Sequence, residues 1–412
     1  MSPLRPVPSS LLAAAAVLAL LTGCATTEPA ATTASDSAAS SGDAHGEIAG
    51  AEELAEAQLG LTLVGPGGQA TQLDLLDESF ADLGAVRAPD AVHSDGRYLF
   101  AIDATGVSIV DSGVWTWDHE DHFHYYRAAS RVVGDIEGAG IATIATTTSS
   151  TTGGTGLFFP ESGEAVLLDT EALSNGEIVE RFRIAGEPGE GIVLPVGSFA
   201  AVAAGDRVTV HDADGAEVGV TEDCLAPRGT ITTRVGGVIG CDDGAILLTV
   251  DDGTPQIERI PYPTGAGSRA EGFANREGRP RVAALAGEDG ADGIWILDTR
   301  ARAWTLLPGP EPLLQVTAVD DNAANLLALT RSGRVLVLDG ESGAVRASTE
   351  PLVSASVADS AGAVHLIADQ QRAYLSGPTE QMLWEIDFAD DARIARTFTP
   401  TTAPLFAVLT GR

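Results

Sequence analysis

Short apolar runs that end in an acidic residue recur along the chain. They read VSIVD at 107–111, AVLLD at 165–169, RVTVHD at 207–212 and AILLTVDD at 245–252, then IWILD at 294–298, VLVLD at 335–339 and LWEID at 383–387. Successive starts lie 58, 42, 38, 49, 41 and 48 residues apart. Most are followed by a polar turn and a second short run, as in VLVLDGESGAVRAST. Most are also preceded by another run, such as RYLFAID, RVAALAG or NLLALT. Segments this short, rich in Val, Ile and Leu and punctuated by Gly and Asp, have the pattern of strands. No stretch after residue 58 keeps a helical period.

Four strands in each unit of roughly 40–50 residues is the arithmetic of a β-propeller. The seven markers and a weaker eighth, QATQLDLLD at 69–77, predict an all-β fold of eight blades, with seven as the alternative. The chain ends in APLFAVLTGR, a strand with nothing after it to pair with. It is expected to become the innermost strand of the blade begun at 59–85, closing the ring and removing a sheet edge.

The amino terminus has a different pattern. A single Arg5 precedes an apolar run from Leu11 to Leu21 and then Gly23-Cys24. That run is too short to span a bilayer and has the layout of a secretory signal, residues 1–23. The LTGC ending resembles a lipobox, which makes Cys24 the expected lipidated residue and the chain a lipoprotein anchored outside the cytoplasm. Residues 24–58 are poor in large apolar side chains and read as a disordered tether, leaving 59–412 as the propeller domain.

Charge narrows the partners. The formal net charge is −34, and all 24 basic residues are Arg. Such acidity argues against nucleic acid and anionic membrane surfaces as partners, and nothing in the sequence requires a second copy, so a monomer is expected. Cys224 and Cys241, the two cysteines left in an exported domain, are expected to form one disulfide. There is no Gly-x-Ser-x-Gly elbow, phosphate-binding loop or catalytic cysteine, and an enzyme is not expected.

One stretch carries chemistry. DSGVWTWDHEDHFHYYR, residues 111–127, holds three of the seven histidines among Asp118, Glu120 and Asp121, with aromatic residues on either side. With RYLFAID and VSIVD as second and third strands of a blade, this stretch is read as the turn to the fourth strand and that strand itself. His122 and His124 then share a face, and their imidazoles can converge on one ion. Imidazole with carboxylate suits Zn2+. His119 and Asp121 are the nearest further ligands, and His93 is expected in a turn on the same rim. The polar insert TTTSSTTGGTG at 146–156, to which the longest marker spacing is attributed, is either a lid or an idle loop. His211 and His365 lie within strand patterns and are read as packed there.

These residues carry a resemblance. An exported propeller with the core DHEDHFHYY, together with the Cys224/Cys241 pair and GCDDG at 240–244, resembles the AztD-type zinc metallochaperones over most of 59–412. The resemblance implies zinc ligation by His122 and His124, with His119 and Asp121 adjacent. It also implies delivery to the solute-binding protein of a zinc ABC importer. The histidines that such proteins tend to carry near the cysteine pair are absent from CLAPRGTI and SRAEGFANRE, and the tether holds only His45. A propeller scaffold for protein–protein contacts, with structural histidines, is the other reading.

Overall fold

The computed structural model describes residues 46–118, 122–287 and 290–412. Cys24 and the signal segment lie outside the described residues, as does the tether as far as His45. Among the described residues are eight four-stranded antiparallel sheets, seven of them running in chain order from first strand to fourth. The eight-bladed reading holds. Blade 2 consists of Ala91–Ser94, Tyr98–Asp103, Gly106–Asp111 and Arg131–Glu137. Blades 3 to 8 begin at Thr143–Thr146, Gly191–Val196, Thr230–Thr233, Ala270–Ala274, Leu313–Ala318 and Leu366–Ala368.

Blade 1 draws its first strand from the other end of the chain. Phe406–Thr410 pairs with Gly60–Val64, from Gly60 opposite Thr410 to Val64 opposite Phe406. Gln69–Asp74 and Phe80–Ala85 complete it. The terminal pairing expected from the unpartnered last strand is therefore present.

The core lies between blades, which explains why the inner strands read as unbroken apolar runs. Tyr98–Asp103 is buried at every position because both faces of its sheet meet a neighbouring blade. Leu99 and Val110 of blade 2 pack on Val64 and Leu83 of blade 1. On the opposite face Phe100 and Ile109 pack on Leu157 and Val166 of blade 3. The series returns to its start where Tyr374 and Leu383 of blade 8 meet Leu61 and Leu73 of blade 1. Each fully buried side chain of this size contributes about 1.5–3 kcal/mol. Outer strands are mostly solvated, as in Glu217–Asp223. Among the described residues α-helix is confined to Thr170–Ser174 and Ser354–Ser360. No helix among the described residues is long and apolar enough to cross a membrane.

Two expectations change here. The fourth strand of blade 2 is Arg131–Glu137, not the histidine-rich stretch. That stretch leaves the blade after Asp111 as a separate hairpin, Val114–Asp118 against Phe123–Arg127. Both segments have strand composition, but only the later one follows the turn that returns the chain to the blade. This excursion lies inside the 58-residue marker spacing that had been attributed to 146–156. The tether expectation also fails in part. Glu52–Leu54 is a strand that pairs with Phe123–Arg127, so residues 46–58 belong to the folded unit.

Candidate metal centre

The hairpin departs from the blade at Gly113. Its φ is 77°, and a Cβ there would come within 2.5 Å of the Ala128 carbonyl oxygen, so the turn requires glycine. The Ala128 amide donates to the Gly113 carbonyl at 2.7 Å and closes the base. Below it lies a fully buried ion pair. Arg97 reaches Asp111 through two parallel bonds, Nε to Oδ1 at 2.9 Å and Nη2 to Oδ2 at 2.8 Å. The Arg97 guanidinium sits 4.0 Å from the centroid of the Trp115 ring, which is 1% exposed. A desolvated contact of that kind is worth about 2 kcal/mol.

Further bonds fix the rest of the hairpin. The Trp115 indole N–H donates to the Gly46 carbonyl at 3.1 Å, and the Thr116 hydroxyl donates to the Gly411 carbonyl at 2.9 Å. Arg127 bonds Gln58 and, at 3.1 Å, Asp74 of blade 1. An excursion this short would be marginal by itself; these anchors give it one position.

Cross-strand register then sorts its side chains. Trp115 faces Tyr126 and Trp117 faces His124, so these four share one side of the sheet. Trp115 and Tyr126 stack at 5.3 Å, and the His124 and Tyr126 rings are 6.2 Å apart. Glu53 on the third strand stands opposite Tyr126, diagonal to His124.

The result is a specific constellation. His122 Nε2 and His124 Nε2 are 3.0 Å apart, and His124 Nδ1 is 2.6 Å from Glu53 Oε1. A carboxylate only accepts, so it assigns the proton to Nδ1 and leaves a lone pair on Nε2 of neutral His124. Two imidazole nitrogens on a tetrahedral zinc ion, each bonded at roughly 2.0–2.1 Å, stand about 3.3 Å apart. The observed separation is close to that, and a small ring rotation would convert the contact into a ligand pair. A carboxylate on the far nitrogen is the usual support for a histidine ligand, fixing its tautomer and raising its basicity.

His119 and Asp121 lie outside the described residues. Among the described residues no three His, Cys, Asp or Glu side chains form a metal-holding group. The structure therefore brings together His122 and His124 and does not bring His93 to them. His93 is in the first strand of blade 2, not in the turn, because the strand begins at Ala91. Its Nε2 is buried without a hydrogen-bond partner, and burial, followed by the charge of Arg412, lowers its pKa to about 4. His211 bonds the Gly215 carbonyl at 3.1 Å, and His365, just before the strand Leu366–Ala368, is half-buried with its Nε2 enclosed and its pKa lowered to about 4 by desolvation. Glu53 was missed by sequence reasoning. It lies in AEELAEAQ, a stretch whose composition gives no sign of a strand.

The disulfide between Cys224 and Cys241 is formed, with Cα atoms 5.2 Å apart. In the 146–156 insert, Ser150 and Thr151 are buried, and Thr148–Ser150 line a cavity that Thr116, Trp117, Asp118, Phe123 and Tyr125 also line. Trp117, which stands opposite His124, is among them, so the hairpin that carries the imidazole pair also forms part of the cavity wall.

No family model and no curated protein matches the chain. Among solved structures, apo AztD from Citrobacter koseri matches with a TM-score of 0.73 at 18% identity, covering 86% of this chain and 98% of that one. The chain has the fold of AztD. A crystal structure of C. koseri AztD gives the same TM-score and identity over 87% of this chain and 99% of that one. The AztD likeness extends over the propeller as a whole, and at this identity it concerns backbone architecture.

Proposed function

We propose that the protein is a lipid-anchored extracytoplasmic zinc carrier that buffers zinc or hands it to the solute-binding protein of a zinc ABC importer. One observation carries this reading: two imidazole nitrogens face each other at close to the spacing of a shared tetrahedral ion, with a carboxylate on the far nitrogen of one ring. The AztD fold and the DHEDHFHYY core support it. His122 and His124 would be ligands, Glu53 would orient His124, and His119 and Asp121 are the adjacent candidates for completing the sphere. A hairpin at the rim, outside the blade cores, suits a cargo site that must release its ion.

Titrating the mature chain with zinc against a competing chelator tests the reading. One equivalent is expected to bind, and the His122→Ala, His124→Ala double variant is expected to lose it. No stoichiometric binding, or binding unaltered in the double variant, ends the proposal. The second reading, an interaction scaffold, is favoured by the same 3.0 Å contact taken as a hydrogen bond between the rings. It expects a metal-free protein that captures its partner in the presence of chelator.

A further inference from the structure

The first-to-second strand turns of several blades meet at one end of the propeller around a cavity of about 1100 Å³. That is the size of a ligand pocket. In a chain with net charge −34, six of the 24 basic residues line this one mouth: Arg234, Arg276, Arg279, Arg372, Arg396 and Arg412. Four of them engage carboxylates, Arg279 with Asp320 at 3.3 Å, Arg372 and Arg396 with Glu385, and Arg412 with Glu277 at 2.6 Å.

Arg234 and Arg276 form no ion pair among the described residues. They belong to adjacent blades and converge on one turn. Arg234 donates to the Gly278 carbonyl through its backbone N–H at 3.0 Å and through its side-chain Nε at 3.4 Å. Arg276 spends only its Nε, on the Val319 carbonyl at 3.0 Å. Burial is the main cause that lowers the Arg276 pKa, and Arg279 adds to it; Asp320, Asp321 and Asp369 act in the opposite sense. An arginine fork with no carboxylate partner among the described residues, half-buried in a concave wall, is suited to bidentate capture of an oxyanion through its Nη groups. Across the mouth Asp95 is 5% exposed. Its Oδ1 accepts the Arg97 and Tyr98 amides, and its buried Oδ2 has no hydrogen-bond partner. Desolvation raises its pKa to about 7, so near neutrality the protonated carboxyl can donate to a bound anion.

We propose that this mouth binds a small multivalent oxyanion, carboxylate or phosphate, gripped by Arg276 and Arg234. The site is independent of zinc, and its test uses metal-free protein, so its failure leaves the zinc reading untouched. Citrate and inorganic phosphate are titrated separately into the full mature chain by calorimetry at low salt. One or both should bind with unit stoichiometry, which also distinguishes the two ligand chemistries. Arg276→Gln and Arg234→Gln should each weaken binding about tenfold, the loss of one bidentate charged contact. Arg234→Gln, at an exposed position, keeps the test open if Arg276→Gln fails to fold. Asp95→Asn, which keeps the Oδ1 acceptor and removes a like charge, should tighten binding severalfold near pH 8. Arg207→Gln, an exposed arginine outside the cavity, should change nothing. No heat from either probe at millimolar concentration would overturn the proposal, as would equal weakening by Arg207→Gln, which would mean diffuse attraction without a site.

Discussion

Replacing Glu53 tests whether the amino-terminal strand is part of the metal centre. The carboxylate lies 2.6 Å from His124 Nδ1, a charge-assisted contact, and hydrogen bonds to charged groups contribute about 1.5–3 kcal/mol. Removing such a supporting carboxylate elsewhere weakens metal affinity about 10–100-fold. Here the Glu53 side chain is 58% exposed, so water can replace part of what is lost and the lower end applies. Glu53→Ala should therefore weaken zinc about tenfold. Glu53→Gln keeps an acceptor without charge, roughly half as strong, and should cost about threefold. Glu52 is the control: it stands opposite Arg127 on the same strand, one position away and so on the other side of the sheet. Glu52→Ala removes the same charge and should leave affinity unaltered in a chelator-competition titration. If Glu52→Ala weakens zinc as much as Glu53→Ala does, the effect is net charge, and the orienting role assigned to Glu53 is wrong.

Breaking the Arg97–Asp111 pair by Asp111→Ala strands a buried guanidinium and should cost about 3–5 kcal/mol, read as a lower midpoint in urea. Conversion of Cys224 and Cys241 to Ser removes a link across 17 residues and should cost about 3 kcal/mol in the same assay. For pH, the Asp95 pKa is raised to about 7 from 3.8, so the folded state holds its proton longer, and the stability this group favours at low pH is lost as pH rises through 7. Asp95→Asn should therefore gain stability relative to wild type between about pH 4 and 7 and level off above; a difference independent of pH refutes the assignment. His93 acts in the opposite direction, its pKa lowered to about 4 from 6.5, so His93→Gln should lose less stability than wild type as pH falls from 6.5 toward 4.

The repeat was legible because most second and third strands are buried on both faces, which leaves near-continuous apolar runs at blade spacing. The unpartnered PLFAVLT segment made the terminal pairing legible for the same reason. The hairpin was not legible as a hairpin. FHYYR and RVVGDIE both have strand character, and only the cross-strand partners of Asp111 decide which belongs to the blade. Glu52–Leu54 was hidden more deeply, since tertiary pairing to an exposed edge overrides weak local propensity. The His122/His124 pair could be read from its two-residue spacing, whereas Glu53 needed the third strand. His93 was misplaced because a short turn boundary shifted by a few residues moves a side chain from the rim into a strand.

The imidazole pair sits on an element held by the two ends of the folded chain. Gly46 receives the Trp115 indole, Glu53 receives His124, and Gly411 receives Thr116. The pairing of Phe406–Thr410 with Gly60–Val64 stands directly behind those contacts. The geometry of the imidazole pair is thus tied to the seam at which the propeller joins its own termini, not to a single blade. Displacing Glu52–Leu54 would remove one sheet neighbour and the His124 carboxylate together, while Arg97, Asp111 and Trp115 would keep the hairpin rooted. Such an arrangement would let a metal site lose affinity without unfolding its support, as the proposed zinc hand-over requires.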